Sequence, residues 1–520
     1  MHRARVSACR ISTRGNCPAG QAGGRESAFD MSHKQPNILI VLTDQQRLDS
    51  MAAYGNRWID ARHMDALAAR SFVFENCYCT QPVCTPSRGS FMTGLYPHAT
   101  GVVRNRIPLP VDTPSLGELM PDKYYNAHMG KWHLGDDVIA QRGFDTWIAI
   151  EDFHRAHYSK KEYRNIEPAY NDWLREHGVE PPPWTTSYEA WAGGASLTEE
   201  QTQAGFLGHV AAEFIRDYPS GDNAVKPWLL QVNFFEPHPP YTGPFNDLYD
   251  HDAIEVGRAF MQRPDTGSLV NRLRADFYLG GGNNPLGLAG GDTHDTTTEA
   301  GWRKLRAQYF ANVTLVDRQL GKILGALEAT GQADNTIILF SSDHGEMGGD
   351  HGMCEKRNLY EEASRVPLLI HVPWLNKNTS TRVPGSISHV DILPTLLELA
   401  GAESIPEMHG RSRVEVLKGE ADLSTNDVFV EWDGMGDRNL GSPEVNRMVS
   451  MPWRNVITPE RFKLNLSPGD QCELYDLNSD PHEMNNLFSD PAQRDRIRDM
   501  AARIRMWQAA TGDTIQLPTV

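Results

Sequence analysis

Asn37-Ile38-Leu39-Ile40-Val41-Leu42-Thr43, followed at once by Asp44-Gln45, is the stretch whose reading decides the fold. A short, continuous apolar run of this kind reads as a strand buried on both faces, as in a parallel sheet covered by helices. In open α/β sheets the functional groups gather at the carboxyl ends of the strands, which is where Asp44 stands; taken alone, it reads equally as a helix cap. Thr336 to Phe340 repeats the pattern and runs into Ser341-Ser342-Asp343-His344-Gly345-Glu346. Neighbouring parallel strands would bring both polar pairs to one edge of the sheet. Two more strands, Tyr125 to Met129 and Trp228 to Phe235, end in Gly130-Lys131-Trp132-His133-Leu134-Gly135 and in Glu236-Pro237-His238-Pro239-Pro240.

Helices fill the intervals. Residues 60–72 carry Met64, Leu67 and Ala68 at helical spacing, and Phe206, Val210 and Phe214 recur at i, i+4, i+8 between Thr198 and Asp217. A long helix is expected from Glu299 to Thr330, and a short one beginning at Thr113-Pro114. Toward the carboxyl end, Val428 to Trp432, Trp453 to Ile457, Phe462 to Leu466 and Glu473 to Asp476 read as a small antiparallel sheet, with a helix from Pro491 to Ala509 packed on it. The fold class is therefore α/β: a large mixed, mostly parallel sheet flanked by helices, with a small C-terminal antiparallel sheet plus helix. Residues 36–410 form the main domain and 411–520 the smaller one. Residues 150–200, with Tyr158, Tyr163, Tyr170, Trp173, Trp184, Tyr188 and Trp191 among prolines, glycines and charges, read as an insertion over the rim, its aromatics packing the insertion down or stacking on a ligand. The glycines Gly280-Gly281-Gly282 and Gly290-Gly291 lack the GK[ST] that a phosphate loop needs, so residues 246–298 read as a mobile connection.

The second decisive stretch is Cys84-Thr85-Pro86-Ser87-Arg88-Gly89, closed by Thr93-Gly94. Pro86 suits a first helical turn and Gly94 the residue after the last. Cys84 then sits at a helix N-terminus, where unpaired N–H groups favour negative charge, with Arg88 one turn later on the same side. This is an anion cradle, although an isolated cysteine here is as readily an ordinary cap residue.

CTPSRGSFMTG closely resembles the signature of the type I (formylglycine-dependent) sulfatases of the alkaline phosphatase superfamily, and GKWHLG resembles their second motif. The resemblance covers most of residues 36–490, including the HPP segment at His238, the loop from Gly349 through Lys356 to Tyr360-Glu361-Glu362, SHVDILPTLLELAG at Ser388 to Gly401, which reads as a helix, and LYDLNSDPHEMNNL at Leu474 to Leu487. It implies an alkaline-phosphatase-like fold and hydrolysis of sulfate monoesters. Cys84, oxidised after translation to formylglycine by a maturation enzyme, would be the nucleophile. Arg88, Lys131 and Lys356 would balance charge on the sulfuryl oxygens, His133 would help the formylglycine hydroxyls exchange protons, and His238 or Lys356 would assist the departing alcohol. Asp44, Gln45, Asp343 and His344, with residue 84, would hold one divalent metal. Oxygen-rich ligation favours calcium, and His344 makes manganese a competitor. Gln45 departs from the family's usual pair of adjacent acids and resembles the Asp-Gln pair of phosphonate monoester hydrolases and choline sulfatases. Phosphonate monoester or phosphodiester hydrolysis is therefore the alternative, and a non-catalytic carbohydrate-binding relative the alternative of another class.

The composition agrees with a globular enzyme: 520 residues, net charge −17, 40% hydrophobic and 22% charged. That acidity argues against nucleic acid or an anionic membrane as the main partner, and no run is long enough to span a bilayer. The expected partners are a small-molecule or saccharide sulfate ester and the maturation enzyme. Residues 1–35, with Arg3, Arg5, Arg10, Arg14 and Arg25 and no apolar core, read as a disordered extension rather than a secretory signal, with Met31 an alternative start. Seven cysteines without metal-site spacing fit a reducing, cytoplasmic setting.

Overall fold

A computed structural model of the chain describes residues 35–150, 154–182, 196–219, 226–281, 294–434 and 443–520. At its centre lies β1 (Asn37–Asp44), every residue of which after Asn37 is buried. Leu39 and Val41 point into a core shared with Leu207, Phe310 and Leu320, while Ile38, Ile40 and Leu42, one residue out of phase, are equally buried on the opposite face. This double burial is why the strand reads as a continuous apolar run rather than an alternating one.

The other strands of the large sheet are β2 (Phe72–Tyr78), β3 (Tyr125–Gly130), β4 (Thr146–Ala149), β5 (Trp228–Pro237), β6 (Thr336–Ser342), β7 (Arg365–Val366), β8 (Leu368–His371) and β9 (Thr381–Ser388). Their order is β4-β3-β5-β1-β6-β8-β2-β7, with β9 also pairing β2. From β4 to β6 every pairing is parallel, and β8 and β7 bring in antiparallel neighbours. Ile38 pairs with Leu229 on one side and Ile337 on the other, so the carboxyl ends of β5, β1 and β6 come out level. Asp44, His238 and Asp343 thereby share one edge.

The helices Gln203–Asp217 and Glu299–Ala329 pack against each other and against β5. From the longer one, Asp317 accepts the backbone N–H of His63 and of Met64 (2.7 Å), capping the helix Arg62–Ala68 from another element.

Three local expectations change. The helix expected at Thr113 is Leu116–Leu119, started by a reciprocal Ser115–Glu118 capping box rather than by Pro114. Ser388 to Gly401 is not helical throughout: β9 runs to Ser388, a turn covers His389–Asp391, and the helix is Ile392–Leu399. The stretch 246–298 contains the helix Leu269–Leu279, which buries Val270, Asn271, Arg274, Ala275 and Tyr278. In the rim insertion Tyr158 and Tyr170 are buried and Trp173 packs on the main core, which is the packing alternative. Trp184, Tyr188, Trp191, Gly282, Gly290 and Gly291 lie outside the described residues, as do residues 1–34.

The small sheet is β10 (Val428–Trp432), β11 (Trp453–Ile457), β12 (Phe462–Leu466) and β13 (Glu473–Asp476), antiparallel in chain order, with the helix Arg494–Thr511 against β11 and β12. It is a lobe of the main body, since residues 35–520 form one compact unit. Buried ion pairs join the two sheets: Lys463 Nζ lies 3.1 Å from Glu361 and 2.9 Å from Glu483, and Tyr78 donates to Glu361 at 3.0 Å. No helix among the described residues is long and apolar enough to cross a membrane.

Candidate active site

The helix Cys84–Thr93 begins where expected and ends on Gly94, whose φ of 68° is the left-handed closure that glycine makes without strain. All ten of its residues are buried, so Cys84 stands at a helix N-terminus inside the protein. Ligand atoms of Asp44, Cys84, Asp343 and His344 all lie within 4.8 Å of one another. Cys84 Sγ is 3.6 Å from Asp44 Oδ1 and 3.3 Å from His344 Nε2. His344 donates Nδ1–H to Gly345 O at 2.9 Å, which turns the lone pair of Nε2 toward the cluster.

The outer carboxylate oxygens are held by cations. Arg88 bridges the pair, Nη2 to Asp44 Oδ2 at 3.0 Å and Nε to Asp343 Oδ2 at 2.9 Å, and Lys131 Nζ sits 3.0 Å from Asp44 Oδ2. One oxygen of each carboxylate is thus taken, and each Oδ1 faces the centre. Lys131 is placed by backbone: its N–H donates to Asn233 O, while its carbonyl accepts from Asn233 Nδ2 and from Arg88 Nη1. Gly130 before it has φ 110° and lies so near β5 that a Cβ would stand 2.0 Å from Asn233 O. Only glycine permits that approach.

Gln45 is fixed by two expected site residues, Asp343 and Lys356, and by two that the sequence reading gave no role, Tyr241 and Glu346. Its backbone N–H donates to Asp343 Oδ1 at 3.1 Å, its side-chain N–H to Tyr241 Oη at 3.0 Å and to Glu346, and its amide oxygen accepts from the Lys356 ammonium. The residue expected as a ligand through that oxygen here uses it to tether Lys356. Gln45 and His133, with φ 69° and 63°, occupy the left-handed region that side chains seldom adopt, a strain that collects at functional sites. His133 Nε2 lies 2.9 Å from Nε2 of His154, a partner that no periodicity or motif announces. A cleft of about 280 Å³ opens beside this pair, bounded by Arg106, Pro108 and Tyr158. His238 donates Nδ1–H to Pro239 O at 2.7 Å.

Burial alone would raise the Asp44 carboxyl, but Lys131, then His238, Arg88 and His344 outweigh it and hold the group well below the usual carboxylate range. Asp343 takes the opposite course, pushed up to about 7 by burial and by the Asp44 charge against the pull of Arg88. Burial, then Lys356 and Lys131, keep His238 well below the ordinary imidazole value, and burial, then His154 and Lys131, do the same to His133. Burial and Asp44 push the Cys84 thiol up to about 12. An unmodified thiol here is not a thiolate at neutral pH, so cysteine itself is a poor nucleophile in this setting.

Comparison with known proteins bears on the same residues. The profile of the family described as Sulfatase matches residues 36–402, which takes in every site residue above. The chain belongs to the sulfatase family. A second profile, the C-terminal part of N-sulphoglucosamine sulphohydrolase, matches residues 349–510 of this sulfatase. It is 29% identical to a choline-sulfatase of Rhizobium meliloti, over 91% of this chain and 87% of that one. It is 26% identical to an N-acetylglucosamine-6-O-sulfatase of Bacteroides thetaiotaomicron, over 88% and 83%. Among solved structures it resembles the phosphonate monoester hydrolase of Agrobacterium radiobacter with a TM-score of 0.72 at 26% identity, covering 92% of this chain and 96% of that one.

Proposed function

We propose that this protein hydrolyses sulfate monoesters at residue 84, as a formylglycine made from Cys84 beside a bound divalent cation. The observation that carries the reading is the convergence of Asp44, Asp343, His344 and residue 84 at a buried helix N-terminus ringed by Arg88, Lys131 and Lys356. The donor set fits a cation: two carboxylate oxygens and an imidazole lone pair face one point, and the outer oxygens are already bonded. Calcium is the ion the oxygen-rich set favours, with manganese the competitor that His344 admits. When present, the metal and the hydrated aldehyde supply Lewis acidity and a nucleophilic hydroxyl that the cysteine thiol lacks.

The chain's own groups do the rest. Arg88 keeps the two carboxylates together and orients them, and Lys131 and Lys356 bring positive charge to the oxygens of a bound sulfuryl group. His238 is held neutral and has its N–H committed to Pro239, so it has no proton to give. The Lys356 ammonium is therefore the better donor to the departing alcohol. His133, also held neutral, can take up a proton near residue 84. Phosphonate monoester or phosphodiester hydrolysis is the competing reading, favoured by Gln45 in place of a second acid. The substrate class is a small-molecule or saccharide sulfate ester, and a formylglycine-generating enzyme is the required maturation partner. Cys77, Cys79, Cys84 and Cys472, buried and outside any disulfide among the described residues, support a reducing, cytoplasmic setting.

Peptide mass spectrometry on protein produced with a maturation enzyme tests the reading. The peptide holding residue 84 should carry the aldehyde in proportion to sulfate-releasing activity, and Cys84→Ala should release none. Full activity with an intact thiol would remove the proposed nucleophile.

A further inference from the structure

His133 and His154 meet Nε2 to Nε2 at 2.9 Å, and neither Nδ1, each of them buried, has a hydrogen-bond partner among the described residues. Both rings are neutral. Burial, then Lys131, Arg106 and His157, bring His154 down to about 3, and burial, then His154, Lys131 and Arg88, hold His133 well below the usual imidazole range against the pull of Asp44. An N–H···N bond between neutral imidazoles holds one shared proton, and the ring that accepts it carries its own proton on Nδ1. One Nδ1–H therefore goes without a protein partner, and the two rings are unequally placed to bear it. His133 is 4% exposed, whereas His154 is half-buried at the edge of the cleft bounded by Arg106, His157 and Tyr158, which is wide enough for water. An unmet donor is costly inside the protein, so the bare N–H belongs on the ring nearer to water. That makes His133 the donor of the shared bond and leaves its Nδ1 as a lone pair.

The loop carrying His133 lies along the start of the residue-84 helix. Arg88 Nη1 donates to Lys131 O at 3.1 Å, Lys131 Nζ is 3.0 Å from Asp44, and a Cβ on Gly89 would stand 3.8 Å from the Leu134 side chain. Asn105, the residue before Arg106 of the cleft, accepts the Thr85 N–H at 3.1 Å. His133 is itself clamped, since its backbone N–H donates to Asp137 at 2.9 Å. With Nε2 taken up by His154, Nδ1 is the nitrogen left for residue 84. We propose that His154 is a positioning residue for the hydrolysis: by accepting the Nε2–H of His133 it fixes the tautomer whose Nδ1 takes a proton from a hydroxyl at residue 84. This rests on the sulfatase reading above. The O–H electron pair stays on oxygen, the proton bonds to Nδ1, and the imidazolium so formed keeps donating Nε2–H to His154 until its Nδ1–H passes to water. Hydrolysis of a sulfate monoester at neutral pH releases one proton per turnover, so the buried site needs a group that takes a proton up and gives it away.

NMR of protein labelled at its histidine nitrogens, with Cys84 unmodified, tests the hydrogen bond without turnover. A coupling between the two Nε2 nuclei across the bond should appear, with the proton bonded to His133; His133→Asn and His154→Gln assign the signals. A proton bonded to His154 Nε2, or no coupling, overturns the assignment. Kinetics on enzyme with residue 84 fully oxidised tests the role. His154→Leu should lower kcat by about tenfold or more with KM nearly unchanged, and His154→Gln, whose amide oxygen still accepts an N–H, should restore most of it. Matched thermal midpoints show that both variants fold. A His154→Leu enzyme as fast as the native one, a His154→Gln enzyme as slow as His154→Leu, or a loss that falls on KM instead of kcat overturns the positioning role alone. No sulfate from any ester with the native enzyme overturns the sulfatase reading and the role together, while the spectrum still decides the hydrogen bond.

Discussion

Arg88 spans two buried carboxylates, and its loss would leave Asp44 and Asp343 facing each other with Lys131 alone to offset them. Breaking a buried ion network from one side costs about 3–5 kcal/mol, because the remaining charges stay desolvated. Arg88→Ala should therefore lower the urea midpoint of metal-free protein by a corresponding amount, and added calcium should restore part of it by neutralising the carboxylates. A midpoint unchanged by the substitution would show that the pair does not need its bridge. At this scale the sequence made most of the site visible. Asp44, Cys84, Arg88, Lys131, His133, His238, Asp343 and His344 all stand in short motifs at strand or helix ends, and Lys356 in the loop between β6 and the helix Glu361–Ser364. Glu346 lay in plain view within one of those motifs, yet only the fold reveals that it and Tyr241 steer Gln45. His154 is an isolated residue, brought to His133 by long-range packing that leaves no local trace.

The elements were legible where one physical requirement dominated. β1 and β6 need burial on both faces and so became unbroken apolar runs, and the Cys84 helix carries proline and glycine at its two ends. β9 was missed because Pro384 and Gly385 interrupt it; its pairing with β2 shifts register across that point. The helix Leu269–Leu279 was missed because Asn271 and Arg274 interrupt the apolar residues Val270, Ala275 and Tyr278 on its buried face, where helical periodicity predicts an unbroken apolar stripe. Asp317 offers a prediction at this scale. Burial, against the N–H groups of Met64 and His63, pushes its carboxyl up to about 7, well above the usual carboxylate range. The folded state therefore holds this proton more tightly than the unfolded chain does, and between about pH 4 and pH 7 this group's contribution to stability falls as pH rises. Asp317→Ala uncaps the helix Arg62–Ala68 and should cost about 1–2 kcal/mol at pH 5. The deficit should shrink by pH 8, where the native protein bears a buried charge that the variant lacks. Denaturant titrations at the two pH values measure this, and a deficit that grows with pH would contradict it.

For the whole molecule, the small C-terminal sheet was read strand for strand, yet its relation to the large one was not. The sequence suggested a boundary near residue 410, whereas Lys463, Glu361, Glu483, Arg461 and Tyr78 form a buried polar seam that ties β12 to β2 and to the segment before β7. Charged residues scattered over 400 positions carry no periodic signal, so such a seam emerges only from the fold. Lys463→Met would leave Glu483 without its ammonium, while Glu361 keeps Arg461 and Arg365, and should destabilise the protein by about 3 kcal/mol. Both sheets should still melt in a single calorimetric transition, whereas two resolved transitions would mean that the lobes fold independently.

The central claim is that this assembly of charges serves sulfate monoesters. A sulfate monoester brings one negative charge, a phosphodiester or phosphonate monoester also one, and a phosphate monoester nearly two. Electrostatics alone therefore separates the first two classes poorly. The measurement that addresses the claim most directly is kcat/KM for matched aryl esters assayed side by side on enzyme with residue 84 fully converted. The account predicts sulfate monoester turnover above phosphodiester and phosphonate ester turnover, with phosphate monoesters poorest. A reversed order, with the diester or phosphonate ester preferred by a large factor, would contradict it.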